Sequence, residues 1–145
     1  MDAQKDQYTD AFLAAMLSSV TCIAIVGLSD NPERSSYGVA EYLQRYFRIV
    51  PVNPKMTSVL GETAYPSLSS IPSNIKVDLV NVFRRSEEVP PIVDETIACG
   101  VPNLWLQLGV RHDGAATKAR DAGIRVVQDL CIAVAHSRLK GQGHA

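Results

Sequence analysis

The sequence predicts an α/β fold in which a doubly wound parallel sheet of about five strands forms a single domain. Short, continuously apolar runs recur along the chain, as is typical of strands that are buried on both faces of a parallel sheet. Segments with helical periodicity alternate with these runs, and short loops join them, which favours βαβ units. The 145 residues suit one domain, which buries roughly 70% of its unfolded surface.

A leading helix and a buried strand are the first two expected elements. Tyr8, Phe12 and Met16 recur at four-residue intervals, which predicts an amphipathic helix from about residue 9 to residue 18. The apolar run TCIAIVG follows and ends at Gly27. Because this run carries no charge and stops at a glycine, it predicts the first buried strand.

The next segments predict a second helix and a second strand. In YGVAEYLQRYF, the side chains of Val39, Tyr42, Leu43 and Tyr46 share one helical face. RIVPVNP predicts a short strand that ends in the turn residues Asn and Pro. The segment after it, MTSVLGETAYPSLSSIPSN, is expected to be a loop with a small extended piece near residues 64 and 65.

The second half of the chain continues the alternation. KVDLVNVF, PNLWLQLG and IRVVQD predict the third, fourth and fifth strands. Between them, SEEVPPIVDETIACG predicts a helix whose regular part begins near its two prolines and which ends at Gly100. HDGAATKARDAG predicts a short helix that stops at Gly123. We expect the tail KGQGHA, residues 140–145, to be disordered.

The composition argues against several classes of partner. The formal net charge is −1 and the basic residues form no run, so no nucleic acid is expected. The uncharged stretch Ala11–Leu28 has the length of a membrane span, but Ser18, Ser19 and Thr21 interrupt it, so no membrane is expected. The three cysteines are far apart and form no C-x-x-C, which argues against disulfides or zinc and favours the cytoplasm.

The end of the first strand has the character of a phosphate-binding loop. Ligands of open parallel sheets bind beyond the carboxyl ends of the strands. Here Gly27 allows a tight turn, Arg34 can bind phosphate through two hydrogen bonds, and the helix start at Ser36 and Tyr37 offers free N–H groups. The dinucleotide fingerprint G-x-G-x-x-G is absent, because Ser29 stands where its second glycine would be.

The residues at the end of the second strand discriminate between the candidate nucleotide ligands. It carries Val52, Asn53, Pro54 and Lys55. An NAD site usually has an acidic residue near this point, which accepts hydrogen bonds from the ribose hydroxyls. A lysine favours a phosphorylated ribose instead. Both NADP and the 3′-phosphorylated ADP of coenzyme A satisfy that preference.

The third and fourth strand ends add aromatic, cationic and amide groups. Phe83 can lie against an adenine or a ligand chain, and Arg84 adds a second cation that faces the crevice. Gln107 is a polar residue in an apolar strand, so its amide must bond to protein or to ligand. Gly109 permits a close approach of the backbone. No set of catalytic side chains converges on these ends.

Several motifs together resemble the stand-alone CoA-binding domain proteins: IAIVGLSDNPERSSYGVAEYL, IVPVNPK, VDLVNVFRRSEEV, LWLQLGV and VVQDLCIAVAHSRL. These proteins are similar to the nucleotide-binding domain of the succinyl-CoA synthetase alpha subunit. The resemblance extends from about Ser19 to Leu139. Together with the helix and the tail predicted above, it divides the chain into a leading helix (1–18), a CoA-binding Rossmann-like domain (19–139) and a disordered tail (140–145).

The resemblance implies that the protein binds coenzyme A or an acyl-CoA without evident catalysis of its own. The synthetase reaction uses a phosphorylated histidine on a further domain, so that chemistry is not expected here. The residues that the resemblance assigns to the cofactor lie at the four strand ends, and they are Gly27, Ser29, Arg34, Ser36, Tyr37, Val52, Asn53, Pro54, Lys55, Phe83, Arg84, Gln107, Gly109 and Val110.

Three alternatives stay open. An NADP-dependent reductase would fit the basic ribose site. A small acyl-CoA-handling enzyme would use His112 or Cys131. A partner-binding subunit would place the leading helix and Trp105 at an interface. A homo-oligomer stays open as well.

Overall fold

The computed structural model describes residues 7–143 and contains the predicted parallel sheet with helices on both faces. The strands are β1 (Cys22–Val26), β2 (Arg48–Val52), β3 (Ser58–Val59), β4 (Glu62–Thr63), β5 (Leu79–Val82), β6 (Asn103–Leu106) and β7 (Arg125–Val127). The helices are α1 (Asp10–Ser18), α2 (Ser35–Gln44), α3 (Val89–Ala98), α4 (Asp113–Asp121) and α5 (Ile132–Gly141). The predicted fold class is therefore confirmed.

The five long strands pair in the order β2-β1-β5-β6-β7, and every neighbouring pair is parallel. The chain therefore leaves β1 toward one edge of the sheet, returns, and continues on the other side from β5. This reversal puts the switch point between β1 and β5, where α/β sheets bind their ligands. The short strands β3 and β4 form a separate antiparallel pair.

The two faces of the sheet carry separate hydrophobic cores because successive strand residues point in opposite directions. On one face, Ala24 and Val80 lie in the cluster that contains the buried apolar residues of α3 and α4. On the other, Ile23 and Leu79 lie in the cluster of α1, α2 and α5. Helices on both faces make the sheet doubly wound.

The last helix, α5, has no counterpart in the sequence analysis. Its buried residues Ile132, Ala135, His136 and Leu139 have the spacing of a helical face, so the signal was present in the sequence. The tail predicted as disordered overlaps this helix, which continues to Gly141. Residues 144–145 of that tail, and the first six residues of the predicted leading segment, lie outside the described residues. Within 7–143, no helix combines the length and apolar character that crossing a membrane demands.

Gly27 allows β1 and β5 to come together at their carboxyl ends. Its backbone has a φ of +87°, which L side chains rarely adopt. A Cβ atom at this position would lie 2.3 Å from the carbonyl oxygen of Phe83, far inside van der Waals contact. The N–H of Phe83 in turn donates to the carbonyl of Val26 at 2.8 Å. The β1–β5 junction therefore has no room for a side chain.

We expect Gly27→Ala to lower the free energy of unfolding by about 1–3 kcal/mol more than Gly123→Ala, because only the first adds overpacking to backbone strain. Gly123 is a matched control, since its φ is +90° and nothing lies within 4 Å of the Cβ it would gain. Urea denaturation of the three proteins measures the difference. Equal losses in the two variants would contradict the proposed steric constraint.

A buried histidine joins α5 to α2. The Nδ1 atom of His136 is hydrogen-bonded to the Tyr42 hydroxyl at 2.8 Å, and the rings of Tyr46 and Phe47 pack around the imidazole. Burial, with a smaller effect from the positive charge of Lys140, holds the pKa of His136 below its ordinary value. The neutral imidazole is therefore the form that the folded protein favours.

This lowered pKa predicts that stability depends on pH near neutrality. The unfolded chain takes up a proton at His136 as the pH falls through about 6.5, and the folded chain does so only at lower pH. The free energy of unfolding should therefore be highest above about pH 7 and fall toward pH 5, with a slope no steeper than about 1.4 kcal/mol per pH unit. His136→Gln should flatten this part of the profile in chemical denaturation. A slope that survives in the variant would assign the effect to other groups.

Candidate functional site

The carboxyl ends of β1, β5 and β6 open into a cleft with a volume of about 330 Å³. It lies at the switch point of the sheet, where the sequence analysis expected the ligand. The lining residues come from the ends of these strands and from the start of α2, and they are Gly27, Ser29, Arg34, Ser35, Ser36, Phe83, Arg84, Arg85, Gln107, Leu108 and Val110. Ser35, Arg85 and Leu108 are additions to the predicted set.

The other predicted residues do not line this cleft. Val52 is buried in β2, and Tyr37 packs against the core between the sheet and α1, α2 and α5. Gly109 lies beside the cleft, and its N–H donates to the Asp129 carboxylate at 2.7 Å. The remaining three, 53–55, follow β2 at the neighbouring strand end. The cleft thus covers the ends of β1, β5 and β6 but not the end of β2.

Serine and asparagine side chains hold the loop after β1 in shape. The N–H of Ser29 donates to the hydroxyl of the buried Ser36 at 3.1 Å, and the N–H of Asn31 donates to the Ser29 hydroxyl at 3.0 Å. The N–H of Glu33 donates to the Asn31 side-chain oxygen at 3.0 Å. Two residues predicted to contact the ligand, Ser29 and Ser36, therefore also build the loop that presents Arg34.

The start of α2 is left open toward the cleft. Arg34 is the N-cap residue of α2, and no side chain caps the helix. Within residues 7–143, the backbone N–H groups of Ser35 and Ser36 meet no acceptor, and the Arg34 guanidinium has no hydrogen-bond or ion-pair partner. The first turn also contains no acidic residue. The positive end of the helix dipole and an unpaired cation thus coincide, which is the chemistry of an anion site.

The two arginines after β5 are paired with one carboxylate. Nε of Arg84 donates to Oε1 of Glu88 at 2.9 Å, and Nε of Arg85 donates to Oε2 at 2.8 Å. The bond from Arg85 and then that from Arg84 lower the pKa of the Glu88 carboxyl. Arg84 lines the cleft, as predicted, but its charge is already matched within the protein. The unpaired cation among the cleft residues of the described chain is Arg34.

Gln107 is tied to the protein through one end of its amide. Its Oε1 atom accepts hydrogen bonds from Nδ2 of Asn81 and from the N–H of Ile132, both at 3.3 Å. Nε2 of Gln107 has no partner among the residues described, and the residue lines the cleft. Asn81, which is fully buried, was not singled out from the sequence, although it too is a polar residue in an apolar strand.

Asn53 joins the end of β2 to the loop after β1. Its Nδ2 atom donates to the Leu28 carbonyl at 3.1 Å, and its Oδ1 atom accepts from the N–H of Lys55 at 3.0 Å. The Lys55 side chain is exposed, and its ammonium meets no partner within 7–143. Asn53 therefore fixes the backbone that carries Lys55 at the strand end next to that of β1.

The groups named for alternative functions have structural roles. Nδ1 of His112 accepts from the N–H of Ala115 at 3.0 Å and so caps α4. Trp105 is fully buried, and its Nε1 donates to the Leu130 carbonyl at 2.8 Å. The expectation that Trp105 lies at a partner interface was therefore wrong: its large apolar ring fills the core below α5.

The sequence was compared with models of known protein families. Residues 21–137 match the family model that is described as the CoA binding domain. The chain belongs to this family. The resemblance inferred from the sequence motifs is confirmed, and it covers the strands and helices that build the cleft.

Individual relatives support the family and the fold. The uncharacterized protein YneT of Bacillus subtilis is 42% identical over 119 residues, which cover 81% of this chain and 87% of YneT. A hypothetical protein from Pyrococcus horikoshii OT3 is 34% identical with a TM-score of 0.88, and the match covers 94% of this chain and 95% of that one. The structure of cell-free ID.343 from Thermus thermophilus matches at 35% identity and a TM-score of 0.85, over 91% of this chain and 99% of that one.

Proposed function

We propose that this protein binds coenzyme A or an acyl-CoA in the cleft beyond β1, β5 and β6, without a reaction of its own. The observation that carries the proposal is the unpaired Arg34 guanidinium beside the open N-terminus of α2. An anion there gains a charge-assisted hydrogen bond and the helix dipole together. Membership of a family described as the CoA binding domain supports the choice of ligand.

The strand ends suggest how the ligand would lie. The diphosphate would bind at Arg34 and the N–H groups of α2, where Gly27 leaves the space. The adenosine end would extend toward β2, because Lys55 there has a free ammonium for a ribose phosphate. The pantetheine arm would leave along Phe83 and Gln107, whose unpaired Nε2 can donate to an amide oxygen.

The proposed compartment is the cytoplasm. All three cysteines carry free thiols, and Cys99 is exposed. Exposed thiols persist where the surroundings are reducing.

Calorimetric titration with CoA, dephospho-CoA and NADP tests the ligand and the role of Lys55. We expect micromolar binding of CoA and affinity about tenfold lower for dephospho-CoA, the loss expected for one charge-assisted hydrogen bond. Lys55→Gln should weaken the binding of CoA but not that of dephospho-CoA, so that the two affinities converge. Tighter binding of NADP would favour the reductase, and no binding of CoA would overturn the proposal.

Arg34→Gln should lower the affinity for CoA at least about tenfold, because the variant removes the unpaired cation from the proposed phosphate site. Arg45→Gln is the matched control, since Arg45 is also exposed and lies at the opposite end of the same helix. Its removal changes the net charge equally and should leave the CoA affinity within about twofold of the wild type. Equal losses in both variants would mean that general charge, rather than the α2 start, attracts the ligand.

A further inference from the structure

We propose that the groove between α2 and α5 holds the acyl chain of a bound acyl-CoA. The inference rests on the proposed function and goes beyond it, because it names the thioester form of the cofactor as the ligand. The occupant is an apolar chain of several methylenes. It would enter the groove from the cleft with the pantetheine arm.

The groove has the lining of an apolar ligand site. It is a shallow depression that is open to solvent along its length, with a volume of about 570 Å³. Val39, Ala133 and Val134 provide aliphatic surface, and Tyr42 lies beside them. The charged residue of the lining, Arg138, donates to the Asp10 carboxylate at 2.7 Å and so is already neutralised.

Helix α2 connects the groove to the cleft. Ser35 lines the cleft, while Gly38, Val39 and Tyr42 line the groove. These four residues have the i, i+3, i+4, i+7 spacing of one helical face, so a single stripe of α2 passes from one site to the other. The distance along the helix axis from Ser35 to Gly38 is only about 4.5 Å, at 1.5 Å per residue.

A second connection comes from the start of α5. Gln107 lines the cleft, and its Oε1 atom accepts from the N–H of Ile132, the first residue of α5. The residue before it, Cys131, lines the groove. A ligand arm that passes Gln107 therefore arrives at the end of the groove nearest the cleft.

Packing does not explain why residue 38 is a glycine. It is the fourth residue of α2, where a glycine weakens a helix relative to alanine. Its φ is not positive, and a Cβ atom there would meet nothing within 4 Å. Neither the backbone nor a neighbouring side chain therefore requires glycine. The bare backbone leaves the floor of the groove open, as a closely approaching ligand requires.

Exposed apolar side chains flank the path of the proposed arm. Leu108 is 67% exposed and lines the cleft, and Val134 is 65% exposed and lines the groove. Covering such surface with an apolar chain is favourable. An acyl chain along this path would therefore cover apolar surface of both Leu108 and Val134.

Titration with acetyl-CoA and octanoyl-CoA tests the groove, with CoA as the reference ligand. Because each buried methylene adds affinity, octanoyl-CoA should bind at least about tenfold tighter than acetyl-CoA. Gly38→Leu should fill the groove and reduce this ratio at least about fivefold. Thr117→Leu, an added leucine on the exposed surface of α4, should leave the ratio unchanged.

Alkylation of cysteines, read by mass spectrometry of peptides, locates the chain. Octanoyl-CoA should slow the modification of Cys131 at least about fivefold more than acetyl-CoA does, because only the longer chain fills the groove. Cys99 is the internal control. It is exposed and lies near the amino end of β5, far from the cleft, so its rate should not respond.

The outcomes separate this inference from the proposed function. If CoA binds but the two thioesters bind equally and Cys131 is not protected, the acyl groove is overturned and the CoA site stands. If CoA itself does not bind, both fail. If Cys131 is protected without ligand and the protein sediments as a dimer, the groove belongs to a second copy of the chain and the inference is overturned.

Discussion

The close approach of β1 and β5 at Gly27 is the contact on which the cleft depends. The backbone of one strand end touches that of the other, and a side chain there would collide with the Phe83 carbonyl. This approach lets the loop after β1 and the residues after β5 face the same space. The strand order is the second condition. From β1 the sheet grows toward β2 on one side and, from β5 onward, toward β7 on the other, so the crevice between β1 and β5 stays uncovered.

The charges around the cleft are distributed unequally, and this decides what the cleft can attract. Glu88 accepts hydrogen bonds from both Arg84 and Arg85, and Glu87 makes a further ion pair with Arg85 at 3.8 Å, so two carboxylates balance the two guanidinium charges. Arg34 at the start of α2 and Lys55 after β2 keep cationic groups without a partner among residues 7–143. A ligand with two separated anionic groups suits this arrangement better than one with a single charge.

Hydrogen bonds within the protein fix the backbone segments that carry these two cations. Ser36 and Ser29 shape the loop that carries Arg34, and Asn53 holds the backbone next to Lys55 against Leu28. Gln107 joins β6 to the start of α5 and keeps one amide group toward the cleft. The polar residues near the strand ends thus mainly hold the backbone of the loops that carry the cations. The apolar groove beside α5 begins where this polar framework ends.

The sequence by itself determined the five strands of the parallel sheet, four of the five helices, the position of the cleft and the presence of Gly27 and Arg34 there. These features depend on periodicity and on residue types that are close together in the chain, so local patterns contain them. The order of the strands, the pairing of Arg84 with Glu88, the burial of Trp105 and the Asn81–Gln107 contact were decided only by the tertiary structure. Pairings across a sheet join residues that are distant in sequence, and no local pattern specifies which partner a side chain meets. Helix α5 lies between these cases: its apolar spacing is local, but it becomes a helix with a defined face because the sheet beneath buries that face.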